Sequence, residues 1–202
     1  PFAKINQKRN LTYVFLGRIC ADKGISTLLA AFEIVLKGFR EAAVQLPQLI
    51  IAGPVEDEKL GQLLAEFNSN VVFLPGIHRP EDILEVGDIF CSASHREGFG
   101  TTIIEAAFMG LPAIGSDIIG FRDSVVDGFT GLLFETGDAL AMANAMMKLG
   151  FDNEERARLG HNAALRSRLA YRSDYYLPKI RNQYVVPKKV HKSSRSPSMS
   201  LP

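Results

Sequence analysis

Two cysteines, Cys20 and Cys91, are all that this chain of 202 residues contains. That is too few for a disulfide framework, and a reducing, cytoplasmic setting is expected. No apolar run approaches the ~20 residues that a bilayer-spanning helix needs, so no transmembrane segment is predicted. No signal peptide is visible, but the chain opens on Pro1 rather than Met, which suggests a piece of a longer protein. No His/Cys cluster has zinc spacing and no Asp-x-Asp pair follows a strand, so no metal site and no cofactor are expected. Ser92, Ser94 and His95 fall close together, yet a Gly-x-Ser-x-Gly elbow is missing and a hydrolase triad has no support. The dinucleotide fingerprint, the Walker loop and internal repeats are likewise missing.

What is present is ordinary for a soluble domain: 47% hydrophobic and 22% charged residues, enough for a sizeable core. The formal net charge of +1 is unevenly spread. Lys188, Lys189, Lys192 and Arg195 lie in a terminal stretch without an acidic residue, leaving the rest of the chain at about −3. That balance gives the body no electrostatic case for nucleic acid. Three segments are expected: a polar lead-in over 1–10, a folded domain over 11–185, and a basic tail over 186–202. The Lys/Ser/Pro/Arg-rich tail cannot bury enough apolar surface to order itself; a membrane or nucleic-acid role for its four charges is the alternative.

Short apolar runs alternate with helical patterns. Strands are predicted over 12–16, 49–52, 71–74, 89–92, 113–116 and 132–134. Helices are predicted over 25–39, 56–67, 81–86, 102–109, 139–149 and 154–169; in the first, Leu28, Leu29, Phe32, Val35 and Leu36 share a face. Apolar strands each followed by a helix imply an α/β fold, a Rossmann-like parallel sheet of about six strands with helices on both faces. Ligands of such sheets sit at the carboxyl ends of the strands.

The most informative stretch lies at one of those ends: Glu97-Gly98-Phe99-Gly100-Thr101-Thr102-Ile103-Ile104-Glu105. Strand, glycine-rich turn and helix start follow in order, presenting free backbone N–H groups and the positive end of a helix dipole to an anion such as a diphosphate. With Thr101 opening the helix, Glu105 lies about one turn in and Glu97 on the loop before it, so both carboxylates can face one ligand. Glycine suits a loop that backbone and ligand approach closely. Arg18 and Lys23 follow the first strand on a loop bearing Gly17 and Gly24. They read as cations for a diphosphate or as solvated loop charges. Glu97 reads also as the ion-pair partner of Arg96 or another cation, and Glu105 as a surface carboxylate at a helix start.

Glu97 to Glu105 resembles the E-x7-E motif of retaining glycosyltransferases of family 4, whose GT-B fold has two Rossmann-like domains. Gly17-Arg18 with Lys23-Gly24 is similar to that family's phosphate-binding segment. Gly110-Leu111-Pro112-Ala113-Ile114 and Asp127-Gly128-Phe129-Thr130-Gly131-Leu132-Leu133-Phe134 resemble its later blocks. The likeness runs from about Leu11 to about Arg168 and places the chain in the C-terminal, donor-binding half. It implies retaining, metal-independent transfer from a nucleoside-diphosphate sugar, in polysaccharide or glycoconjugate synthesis. Glu97, Arg18 and Lys23 would be catalytic. Donor contacts would come from Gly17, Arg18, Lys23, Ile77, His78, Glu97, Gly98, Phe99, Gly100, Thr101 and Glu105, with Glu105 on the ribose and Glu97 on the sugar. His78 would stack on the base or is an exposed loop histidine. The segment after the third strand is shorter than usual for the family, and Gly53-Pro54 lacks the acidic residue often seen there. An acceptor sugar or glycolipid would be held by a missing N-terminal domain, which could also dock the full-length protein on a membrane surface. A non-catalytic nucleotide-sugar-binding subunit and an epimerase-like enzyme are the alternatives.

Overall fold

The computed structural model describes residues 10–76 and 79–171. Six strands form one parallel sheet: β1 (Thr12–Leu16), β2 (Gln48–Gly53), β3 (Val71–Pro75), β4 (Ile89–Ser92), β5 (Ala113–Ser116) and β6 (Gly131–Phe134), in the order β3-β2-β1-β4-β5-β6. Register runs without slippage, Tyr13 opposite Leu49 on one side and Ile89 on the other. The order reverses between β1 and β4, so the loops leaving these two strands part at their carboxyl ends and open a crevice.

Both faces of the sheet are apolar because both are covered. Tyr13, Phe15, Leu49, Ile51, Ile89 and Cys91 point to one face and pack with α1 (Ile25–Glu41) and α6 (Ala139–Phe151). Alternate residues Val14, Leu16, Phe90 and Ala113 point to the other, beneath α3 (Pro80–Val86), α4 (Thr101–Phe108) and α5 (Ile119–Arg122). The alternation follows from the two-residue period of a strand. Each large side chain buried this way contributes about 1.5–3 kcal/mol. Tyr13 is fully buried, and its hydroxyl donates to the Met146 carbonyl at 2.8 Å, tying α6 to the sheet. Among the described residues the two remaining helices are α2 (Glu58–Ala65) and α7 (Asn153–Ala170).

All twelve predicted elements are found, most within a residue or two of the predicted bounds. Helix α2 starts later than the pattern suggested. The Asp57 carboxylate accepts from the N–H groups of Lys59 and Leu60, capping the helix there, while the Glu56 N–H is engaged by the Ile19 carbonyl. The short helix α5 and a 3-10 turn at Ala21–Lys23 had no periodic signal, being too brief to show one. Cys20 and Cys91 are both free thiols, and burial pushes the Cys91 thiol far above its usual range. Among the described residues no helix is long and apolar enough to cross a membrane. The predicted boundary at 185 and the basic stretch beyond it lie outside the described residues.

Candidate active site

The two loops leaving β1 and β4 are fastened to each other. The His95 N–H donates to the Asp22 carbonyl at 2.8 Å, and the Arg96 guanidinium pairs with the Asp22 carboxylate at 2.8 Å. Gly24, at φ 64°, turns the chain from the 3-10 segment into α1. A Cβ there would overlap the Ala93 carbonyl, so only glycine lets the loops close on one another. Arg96, the sequence-adjacent partner considered for Glu97, is therefore engaged elsewhere.

Glu97 pairs instead with Lys23. The stem of Lys23 is buried and its ammonium reaches across the crevice to the Glu97 carboxylate. Two motifs 74 residues apart in sequence thus meet through one ion pair. Arg18 lies on the same loop, exposed, with its guanidinium 2.7 Å from Glu56. Glu56 had no role in the sequence reading. The segment after β2 joins the site by stitching to the β1 loop: Ile19 N–H to Pro54 O at 2.8 Å, and the N–H groups of Glu56 and Asp57 to Ile19 O at 3.0 Å each. Gly17 is held by its own N–H on the Ala52 carbonyl at 3.1 Å. The signal available beforehand was only that an acidic residue follows Gly53-Pro54 two positions late.

The turn Gly98-Phe99-Gly100 runs into α4 with Gly100 as its N-cap in the left-handed region, and Thr101 begins the helix. No side chain caps this end. Gly98, Phe99 and Thr101 are exposed, so the turn and the positive end of α4 are open to a ligand. Glu105 stands one turn along, on the exposed face of α4. Surrounding protein first, and then the Glu81 carboxylate, hold its carboxyl above the usual range. Glu81 itself is kept low by its own backbone N–H and by Arg79. Ile77 and His78 lie outside the described residues. Among the described residues, no group of three or more His, Cys, Asp or Glu side chains could hold a metal ion. Two positive side chains, two carboxylates and a bare helix start therefore share the carboxyl ends of β1 and β4. A hollow of about 850 Å³ lies further along, at the ends of β5 and β6 beside Asp117, Arg122 and Glu135.

A doubly wound parallel sheet with a glycine-rich, cation-bearing turn at its switch point defines a Rossmann-like α/β domain. Residues 2–166 match the family described as glycosyl transferases group 1, and the chain belongs to that family. It is 32% identical over 180 residues to the capsular polysaccharide biosynthesis glycosyltransferase CapM of Staphylococcus aureus, covering 87% of this chain and 46% of that protein. Anabaena Alr3699/HepE, solved in complex with UDP and glucose, has the same fold with a TM-score of 0.76 at 20% identity, over 86% of this chain and 48% of that one. The C-terminal domain of a glycosyl transferase group 1 family protein (LpcC) from Francisella tularensis gives 0.69 at 22% identity, over 80% and 86%. The fold is one Rossmann-like half of the GT-B architecture, and the chain spans less than half the length of the CapM protein it matches.

Proposed function

We propose that this domain binds a nucleoside-diphosphate sugar and serves as the donor half of a retaining glycosyltransferase that works without a metal ion. The observation carrying the proposal is the Lys23–Glu97 ion pair, which puts the cationic β1 loop and the glycine-rich β4 turn around one space. A departing diphosphate gains negative charge. Lys23, Arg18 and the bare N–H groups at the start of α4 supply the opposing positive charge, in fixed positions and without a cation from solution. Glu105 accepts hydrogen bonds from the ribose hydroxyls, and Glu97 lies against the sugar. In the free protein each cation is neutralised by a carboxylate, Lys23 by Glu97 and Arg18 by Glu56. Donor binding then exchanges these partners for the diphosphate rather than exposing bare charge.

Similarity to a capsular polysaccharide biosynthesis protein favours sugar transfer in polysaccharide synthesis, and the UDP in the Anabaena structure favours a uridine donor. The chain spans less than half of that relative, and on this reading the acceptor is held by the part that it does not cover. Calorimetric titration with UDP, GDP and ADP, then with their hexose and N-acetylhexosamine conjugates, tests the reading. Saturable binding of one nucleotide, selected further by its sugar, is expected; binding of none would overturn it.

A further inference from the structure

The Glu97 turn is gripped from two sides. On one side the Lys23 ammonium holds the Glu97 side chain. On the other, a hydroxyl that no motif includes holds the backbone. Ser124, just past α5, is 5% exposed, and its Oγ donates to the Phe99 carbonyl, with the Gly120 carbonyl at 3.3 Å as a second acceptor. The fit around this bond is close. A Cβ at Gly120 would overlap the Glu97 carbonyl, and Gly100 lies directly against the Phe121 ring and the Ser124 hydroxyl. The segment carrying Ser124 is itself held from behind: Arg166 of α7 donates to the carbonyls of Ser124 at 3.2 Å and Asp123 at 2.7 Å. A continuous line of bonds therefore runs from α7 through the segment just past α5 to the turn.

We propose that Ser124 is a positioning residue, whose hydroxyl fixes the Phe99 carbonyl and thereby the shape of the Glu97–Thr101 turn that meets the donor sugar. The proposal rests on the donor-site reading above. A hydroxyl has one proton, and here it goes to the turn. A glycine-rich turn has little side-chain packing of its own to hold it, so this bond and the Lys23 pair set its conformation. With the bond gone, the turn samples other conformations and the sugar contacts weaken, while the diphosphate still finds Arg18 and Lys23. Loss of Ser124 thus reduces the advantage of nucleotide sugar over nucleoside diphosphate, a ratio that general destabilisation leaves unchanged.

The test compares Ser124→Ala with Ser116→Ala in the full chain. Ser116 is equally buried, at the end of β5, and its Oγ has no partner, so it reports on losing a serine hydroxyl as such. The first readout needs no ligand: hydrogen exchange at the amides of Ile103 and Ile104, which donate to the Gly100 carbonyl at 2.9 and 3.4 Å. In Ser124→Ala they should exchange about fivefold faster, the effect of one lost hydrogen bond, with the Phe90 amide of the sheet unchanged. In Ser116→Ala none should change. The second readout is the affinity ratio between UDP-hexose and UDP, expected to fall by a similar factor in Ser124→Ala only. If Ser124→Ala loosens the whole sheet, the comparison is made on Ser124→Cys, which keeps the volume and a weak donor and should give an intermediate effect. Unchanged exchange at Ile103 and Ile104, or faster exchange with the sugar ratio intact, overturns the proposal. A wild-type chain that binds no nucleotide overturns the donor-site reading, while the exchange data still decide whether Ser124 braces the turn.

Discussion

Arg18 and Glu56 carry opposite signs on one interaction. Replacing Arg18 and Lys23 together by alanine should weaken nucleoside-diphosphate binding far more than nucleoside binding, since on the proposed reading only the diphosphate meets the cations. Equal losses for both ligands would remove the pair from the phosphate site. Glu56→Gln should act the other way, because it frees Arg18 from its 2.7 Å partner. Exposed pairs are worth only about 0.2–1 kcal/mol, so the gain in diphosphate affinity should be no more than about fivefold. Glu105→Ala should cost about 1–3 kcal/mol of nucleotide-sugar affinity, the value of hydrogen bonds to a charged acceptor. Unchanged affinity by calorimetry would take Glu105 out of the site. The raised pKa of Glu105 also fixes a direction with pH. On the proposed reading the ionised carboxylate is the form that accepts from ribose, so affinity should fall as pH drops through that raised value. The fall begins at a higher pH than for an ordinary glutamate, and Glu81→Gln, by removing the second cause, should move it lower. Stability takes the opposite sign. An acid whose pKa folding raises contributes fully below its unfolded value, and that contribution is lost as pH rises through the folded one.

At the scale of elements, the site is a junction of loops, and its tolerances are those of the junction. Gly24 occupies φ 64° with the Ala93 carbonyl against its α-carbon side. Gly24→Ala adds a left-handed strain and a steric overlap, together costing about 2–5 kcal/mol by denaturant unfolding. Nucleotide affinity should fall with it, because the same displacement moves Lys23 and the Glu97 turn out of the positions proposed to meet the donor. A loss of less than about 0.5 kcal/mol, the range of neutral surface changes, would show that the loops separate at no cost. Helix α5 follows the same logic: only four residues long, it lies between the Glu97 turn and the hollow at β5 and β6.

At the scale of the molecule, the proposed donor half would bind one substrate without positioning two. The chain should bind donor alone, and transfer should appear when it is joined to the half that its relatives possess and it does not span, since holding the acceptor in place is most of the remaining barrier. Adding chelator to that assembled enzyme should leave the rate unchanged if, as proposed, Arg18 and Lys23 supply the charge. A rate that collapses on chelation would require a metal, and transfer at full rate by this chain alone would remove the need for a second half.

The six strands, their parallel order and the helices between them were legible in the sequence because each is a local pattern: apolar runs such as 89–92 and a repeating face such as Leu28, Leu29, Phe32 and Val35. So was the Glu97–Glu105 stretch, whose strand, turn and helix are continuous. What the sequence left open were the partners. Lys23 rather than Arg96 faces Glu97, Glu56 faces Arg18, and Ser124 reaches the Phe99 carbonyl. Each of these is a contact between residues 25 to 74 positions apart, and no local pattern of hydrophobicity or turn residues encodes it. The folded sheet decides it, by bringing the ends of β1, β2, β4 and β5 to one edge and leaving each charge the partner that lies within reach there.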